Sequence, residues 1–197
     1  MKNIKQITIK KDINKMDKIA IIDLECTCDD TGKIIPRHEM EIIEIGCVIA
    51  DLNGNTYNEF NCFIKPIIHP TLTPFCTSLT SITQEQVNNG ISLEKALSAL
   101  DDFLFNENVN QWGSWGGFDA NQIRKDIRNN KLSETSFPFL KLEHINLSAE
   151  YVIKNKLQKK VGVRKALGQN KMKFIGVPHR GIDDVRNIAR LLPYIFN

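Results

Sequence analysis

The chain has 197 residues, 42% of them hydrophobic and 25% charged. That balance suits one folded domain with a buried core and excludes a disordered or low-complexity chain. Lys and Arg number 26 against 23 Asp and Glu, a net charge of +3, so a polyanion-binding surface must come from local clustering rather than overall charge.

Residues 1–16 form a polar lead-in to a domain spanning 17–197, with the alternation around Ile7 and Ile9 predicting one short strand. Its lysines are not followed by an apolar run, so no secretory signal is expected. No apolar stretch approaches the roughly 20 residues that span a bilayer; a cytoplasmic protein without a membrane partner is expected. Lys18–Leu24 is a compact apolar run ending in acids and predicts a buried central strand. Glu41–Leu52 predicts a second strand, the Asn53-Gly54 pair a hairpin turn, and Thr56–Ile64 a third strand, which together make an antiparallel meander. Pro66, Pro70 and Pro74 punctuate an irregular stretch. Thr83 then caps a short helix over Gln84–Asn88, and Ser92 caps a longer one over Leu93–Phe105, where Leu93, Ala96, Leu97, Leu100 and Leu104 recur at helical spacing. A short strand over Gln111–Trp115, a helix over Asp119–Asn130, a strand over Glu143–Leu147 and a last helix over Asp183–Ile195 complete the chain. Strands followed by alternating helix and strand predict an α/β fold with helices packed on one mixed sheet.

Three stretches carry candidate chemistry. Asp23 and Glu25 are two apart in an extended segment, so both carboxylates project from one face. Paired anions repel, and burying them is costly unless a proton or cation neutralises them. Mg²⁺ or Mn²⁺, which prefer oxygen ligands, would do so; the alternative is a solvated turn. Trp112 through Phe118 is a short strand and glycine-rich turn delivering Asp119 to a helix start, where it could equally be an N-cap. His179 precedes Asp184 by five residues, one on a loop and the other in the first turn of a helix, so both can reach one cleft. An acid there also suits the helix dipole without any function. The five cysteines Cys26, Cys28, Cys47, Cys62 and Cys76 read as reduced thiols. Cys26, Cys28 and His38 lack the further ligand spacing of a structural zinc site, so none is expected.

Taken together, these stretches resemble the DEDDh 3′→5′ exonucleases of the ribonuclease H-like superfamily: D-x-E at Asp23/Glu25, an Asp opening a helix after a strand at Asp119, and H-x₄-D at His179/Asp184. The segments from Asp23 to Cys28, His38 to Gly46, Phe75 to Thr83, Ser114 to Gly116 and His179 to Arg190 are similar to the Eri1-like, or three-prime histone-mRNA exonuclease, branch. Animal members carry an additional N-terminal nucleic-acid-binding domain for which 197 residues leave no room; a stand-alone catalytic domain of the bacterial kind is expected.

The resemblance implies a mixed five-stranded sheet and two divalent ions, Mg²⁺ or Mn²⁺, held by Asp23, Glu25, Asp119 and Asp184. It implies His179 as general base and 5′-mononucleotides released from the 3′ end of single-stranded nucleic acid, RNA rather than DNA. Phe118 stands where relatives carry an aromatic that stacks on a terminal base; the alternative is a core phenylalanine. Leu24 and Cys26 are expected to contact the terminal nucleotide through backbone groups, with Leu79 and Thr80 lining the same pocket. Trp112 and Trp115 are expected to be structural. Lys154 to Lys173 holds eight cations and no acid; Lys160 and Arg164 within it are expected to track phosphates, against the alternative of a solvated face. Two other readings are a proofreading-type DNA exonuclease and a non-catalytic nucleic-acid-binding module. Nothing in the sequence names a protein partner.

Overall fold

The computed structural model describes residues 18–197; the lead-in and its strand around Ile7 and Ile9 lie outside the described residues. Five strands form one mixed sheet in the order β3-β2-β1-β4-β5. β1 (Ile19–Cys26), β2 (Ile42–Ala50) and β3 (Thr56–Phe63) are the expected antiparallel meander. β4 (Gln111–Ser114) and β5 (Glu143–Asn146) then add in parallel to the free edge of β1. Asn53-Gly54 does turn the β2–β3 hairpin: Gly54 takes φ +83 and its N–H donates to Asp51 O at 3.0 Å.

The two-residue period of β1 divides the core. Ala20, Ile22, Leu24 and Cys26 face a cluster that includes Leu97 and Leu100 of α3 (Leu93–Asn106) and Ile123 and Ile127 of α4 (Phe118–Asn129). Ile19 and Ile21 face the other side, against Val185 and Ile188 of α7 (Gly181–Ala189). Asp23 and Glu25 continue that odd-numbered row, so the sheet presents both carboxylates toward α7. Among the described residues no helix is long and apolar enough to cross a membrane.

Four elements differ from expectation. The proline-punctuated stretch ends in a helix, α1 (Pro74–Thr80), because Thr73 accepts from Cys76 N and Pro74 occupies the first turn, where its missing N–H costs nothing. It precedes the expected α2 (Gln84–Asn88), which Thr83 and Gln86 close with a capping box. Two helices arise where none was expected, α5 (Leu147–Lys154) and α6 (Val163–Gln169), the latter inside the basic run. The last expected helix is two pieces: α7 ends at Ala189, and Pro193 opens a separate short α8 (Pro193–Phe196), because proline cannot continue a helix interior.

Candidate active site

α7 meets the sheet at two glycines. A Cβ on Gly46 would lie 2.2 Å from Gly181 C, and one on Gly181 would lie 3.1 Å from Asp23 O. Only bare backbone at both positions lets the first turn of α7 rest on β2 beside β1. That close approach brings Asp184 to the row of Asp23 and Glu25, and ligand oxygens of the three lie within 4.8 Å of one another. Asp119 enters from the opposite layer: it sits in the first turn of α4, directly after β4, and its Oδ1 accepts from Leu24 N at 3.3 Å. All four carboxylates line one cleft of about 520 Å³ at the carboxyl ends of the parallel pair β1 and β4, where α/β sheets characteristically place ligands.

The cluster is electrostatically unbalanced. Burial, then the neighbouring carboxylates Asp119, Glu25 and Asp184, push Asp23 well above the usual carboxylate range. Burial and the charge of Asp184 carry Glu25 up to about 8. Burial raises Asp119 to about 6 against the opposing Leu24 N–H, and raises Asp184 against the N–H of His179. Arg180, just before α7, is committed to Glu44. Glu44 is fully buried and accepts from Arg180 Nε at 3.1 Å, Arg180 Nη2 at 3.0 Å and Gly181 N at 3.0 Å. Converging, partly desolvated carboxylate oxygens that repel one another fit a divalent ion, whose charge would offset that repulsion.

This imbalance has a consequence for stability. Each of the four carboxylates has a folded-state pKa above its ordinary value, so the folded chain holds more protons than the unfolded one and loses stability as pH rises. The window runs from the ordinary value of 4.5 to about 8 for Glu25 and from 3.8 to about 6 for Asp119. In chelator the melting temperature is expected to fall across this window, and Mg²⁺ or Mn²⁺ to restore more of it at the alkaline end. Thermal melts with and without chelator check this; a metal-free melting temperature that rises across the window would contradict it.

His179 stands at the cleft mouth on the loop before α7, exposed and in the left-handed region at φ +61. A non-glycine residue held there marks a backbone fixed by its surroundings. Here the fixing bonds are His179 N to Asp184 Oδ2 at 2.8 Å and, one residue on, the Arg180–Glu44 clamp. The imidazole and the Asp184 carboxylate are thus set relative to one another by a single short loop.

The other expected site residues divide. Leu24, Phe118 and Arg164 line the cleft with the carboxylates. Phe118 is 38% exposed rather than a core residue. Cys26 is buried in the core, and Thr80 is buried with its hydroxyl donating to Cys76 O at 2.8 Å. Those two, Leu79 and Lys160 all lie outside the residues lining the cleft. Trp112 is core as expected. Trp115, expected to be structural, packs on Tyr151 yet also lines the cleft, and its Nε1 donates to Val161 O at 2.9 Å, holding the approach to α6. Lys165, one of the eight cations of the basic run, also lines the cleft, and the Glu44–Arg180 clamp was not expected from the sequence. Glu44 did leave a signal: it is a charge in the middle of a strand whose every residue is buried, which demands a partner.

Among the described residues, Asp23, Glu25 and Asp184 form the metal-capable group, and Cys26, Cys28 and His38 do not gather into one. Fold and carboxylate cluster together define a protein of the ribonuclease H-like nuclease class. Residues 20–192 match the RNase T exonuclease family, described as "Exonuclease", and the chain belongs to that family. It is 34% identical over 185 residues to human "ERI1 exoribonuclease 3", an alignment covering 87% of this chain and 51% of the relative. The chain therefore spans about half the length of the curated relatives it matches. Among solved structures it is similar to the nuclease domain of 3′hExo, "a DEDDh family member, bound to rAMP" (TM-score 0.81, 28% identity, 90% of each chain). It is also similar to the structure titled "3′-end specific recognition of histone mRNA stem-loop by 3′-exonuclease" (TM-score 0.80, 28% identity, 89% of this chain and 80% of that one). The mixed five-stranded sheet is the ribonuclease H-like exonuclease fold of these relatives.

Proposed function

We propose that this chain is a metal-dependent 3′→5′ exonuclease that removes 5′-mononucleotides from single-stranded 3′ ends, RNA in preference to DNA. The convergence of Asp23, Glu25 and Asp184 beside Asp119 and His179 carries this reading. The preference for RNA rests on the relatives named as exoribonucleases and on the rAMP and histone mRNA of the similar structures.

Asp23, Glu25, Asp184 and Asp119 would hold two Mg²⁺ or Mn²⁺ ions, which supply charge stabilisation for the attacking and leaving oxygens of an in-line phosphodiester displacement. The chain's own residues do the rest. The His179 imidazole takes a proton from the attacking water, the general-base role that histidine most often fills. The P–O3′ bond breaks, the phosphate stays with the departing nucleotide, and the shortened strand keeps a 3′-hydroxyl. Leu24 and Phe118 offer an apolar wall and an exposed ring for the terminal base.

Base–aromatic stacking contributes about 1–3 kcal/mol per base. Phe118→Ala is therefore expected to raise KM about 10-fold, at about 1.4 kcal/mol per decade, with kcat little changed. Steady-state kinetics on a short oligoribonucleotide check this, and an unchanged KM would remove Phe118 from the base pocket.

Arg164 and Lys165 line the same cleft and would meet the phosphates next to the scissile bond; Lys160 belongs to the same basic run of the sequence. Beyond Phe118 a second groove of about 550 Å³, lined in part by Arg37, His38 and Lys125, continues a cationic path for the upstream strand. Replacing Arg164 and Lys165 together with Ala should flatten the dependence of log affinity on log salt by about 0.7 for each lost phosphate contact on a single strand. A salt titration of binding with catalysis blocked reads this directly.

The reading is tested with a 5′-labelled oligoribonucleotide and its DNA counterpart in Mg²⁺ or Mn²⁺. The expected result is a ladder shortening from the 3′ end, faster on RNA. Binding without cleavage would instead identify a non-catalytic module, and internal cuts would exclude an exonuclease.

A further inference from the structure

Three cysteines gather just past Glu25, and the chemistry above uses none of their thiols. Cys28, two residues beyond β1, packs against the buried cluster that holds Cys76 of α1. Two bonds join the segments: Thr73 Oγ1 donates to Cys28 O at 2.6 Å and Cys76 Sγ to Cys26 O at 3.5 Å, while Thr73 Oγ1 also accepts from Cys76 N at 3.0 Å. Cys76 is fully buried with Ile43, Ile82 and Val87, while Cys28 packs at the edge of that cluster and is partly exposed. One sulfur can thus meet a small solute while the other waits behind it. Cys47 is buried elsewhere in the sheet core.

We propose that Cys28 and Cys76 are an oxidation site: hydrogen peroxide converts them to an intramolecular disulfide that slows the neighbouring carboxylate site. Cys28 Sγ attacks one peroxide oxygen; the S–O bond forms, the O–O bond breaks, and the second oxygen leaves as water with the thiol proton. Cys76 Sγ then attacks the sulfenic Cys28 Sγ; the S–S bond forms, the S–O bond breaks, and hydroxide leaves as water with the Cys76 proton. Two thiols and one peroxide give one disulfide and two waters, the sulfurs losing the two electrons that the peroxide gains. Oxidation removes the Cys76 S–H that donates to Cys26 O, and so disturbs the backbone immediately after Glu25.

The test treats the intact protein with hydrogen peroxide and follows intact mass, non-reducing peptide mapping and exonuclease turnover. The expected result is a loss of about 2 Da, a Cys28–Cys76 cross-linked peptide and loss of most turnover, all reversed by dithiothreitol. Cys28→Ser and Cys76→Ser should each keep their turnover after peroxide, whereas Cys62→Ser should respond as the unmodified chain does. Oxygen addition at either sulfur without a cross-link, or a cross-link to another cysteine, overturns the site. A Cys28–Cys76 disulfide with unchanged turnover overturns its coupling to the carboxylates. Only the turnover arm rests on the proposed nuclease activity; were the untreated protein inactive, mass and peptide mapping would still decide whether the disulfide forms.

Discussion

Asp184→Asn is expected to abolish turnover while leaving the metal-free protein as stable as before, or more so. Asp184 is one of three carboxylates converging within 4.8 Å, and its charge helps raise both Asp23 and Glu25. The amide removes a metal ligand and a negative charge together. The loss of rate should be at least the roughly 100- to 1000-fold that follows deletion of one preorganised electrostatic group at an active site. Without metal, the same change relieves repulsion among buried anions, so the melting temperature in chelator should hold or rise. The stabilisation that Mn²⁺ gives the unmodified chain should shrink. A single-turnover assay and paired melts read both effects; full activity in Asp184→Asn would remove this residue from the site.

Arg180→Gln is expected to be the more damaging change to the fold. It strips the fully buried Glu44 of both guanidinium bonds and leaves only Gly181 N–H. Breaking a buried ion pair from one side costs about 3–5 kcal/mol, because the remaining charge is uncompensated. For a domain of this size that corresponds to a fall in melting temperature of about 6–20 °C. The loop carrying His179 is tied down by the same clamp, so kcat should fall more than KM changes. The Glu44→Gln, Arg180→Gln double variant should lose less stability than the sum of the two single variants, since neither leaves the other's charge stranded. Additive losses in thermal or denaturant unfolding would show that the pair does not act as a unit.

Much of the fold was legible because β1 and β2 are continuous apolar runs and α3 repeats its apolar residues at helical spacing. The D-x-E pair was legible because strand alternation fixes Asp23 and Glu25 on one face without knowledge of what lies opposite. What lies opposite was not. Glu44 reads as one acid in an apolar run, and its partner Arg180 is 136 residues away, a pairing that only the meeting of Gly46 with Gly181 creates. The missed helices are short and weakly marked. α6 buries only Ala166 and Leu167, so its cations dominated the pattern. The start of α1 was signalled by Thr73 followed by Pro74, but three spaced prolines read first as breakers. Pro193 was the overlooked stop within the last expected helix. Among the expected site residues, Cys26 and Thr80 have buried side chains, which strand alternation fixes for Cys26 without bearing on its backbone groups.

The proposed chemistry requires Asp23, Glu25 and Asp184 to share a divalent cation, and a crystal grown with Mn²⁺ tests that directly through manganese anomalous scattering. The expected result is a strong peak among those three carboxylates, with Asp119 beside it, lost in Asp184→Asn. Manganese bound elsewhere on the chain, with nothing among these oxygens, would contradict it.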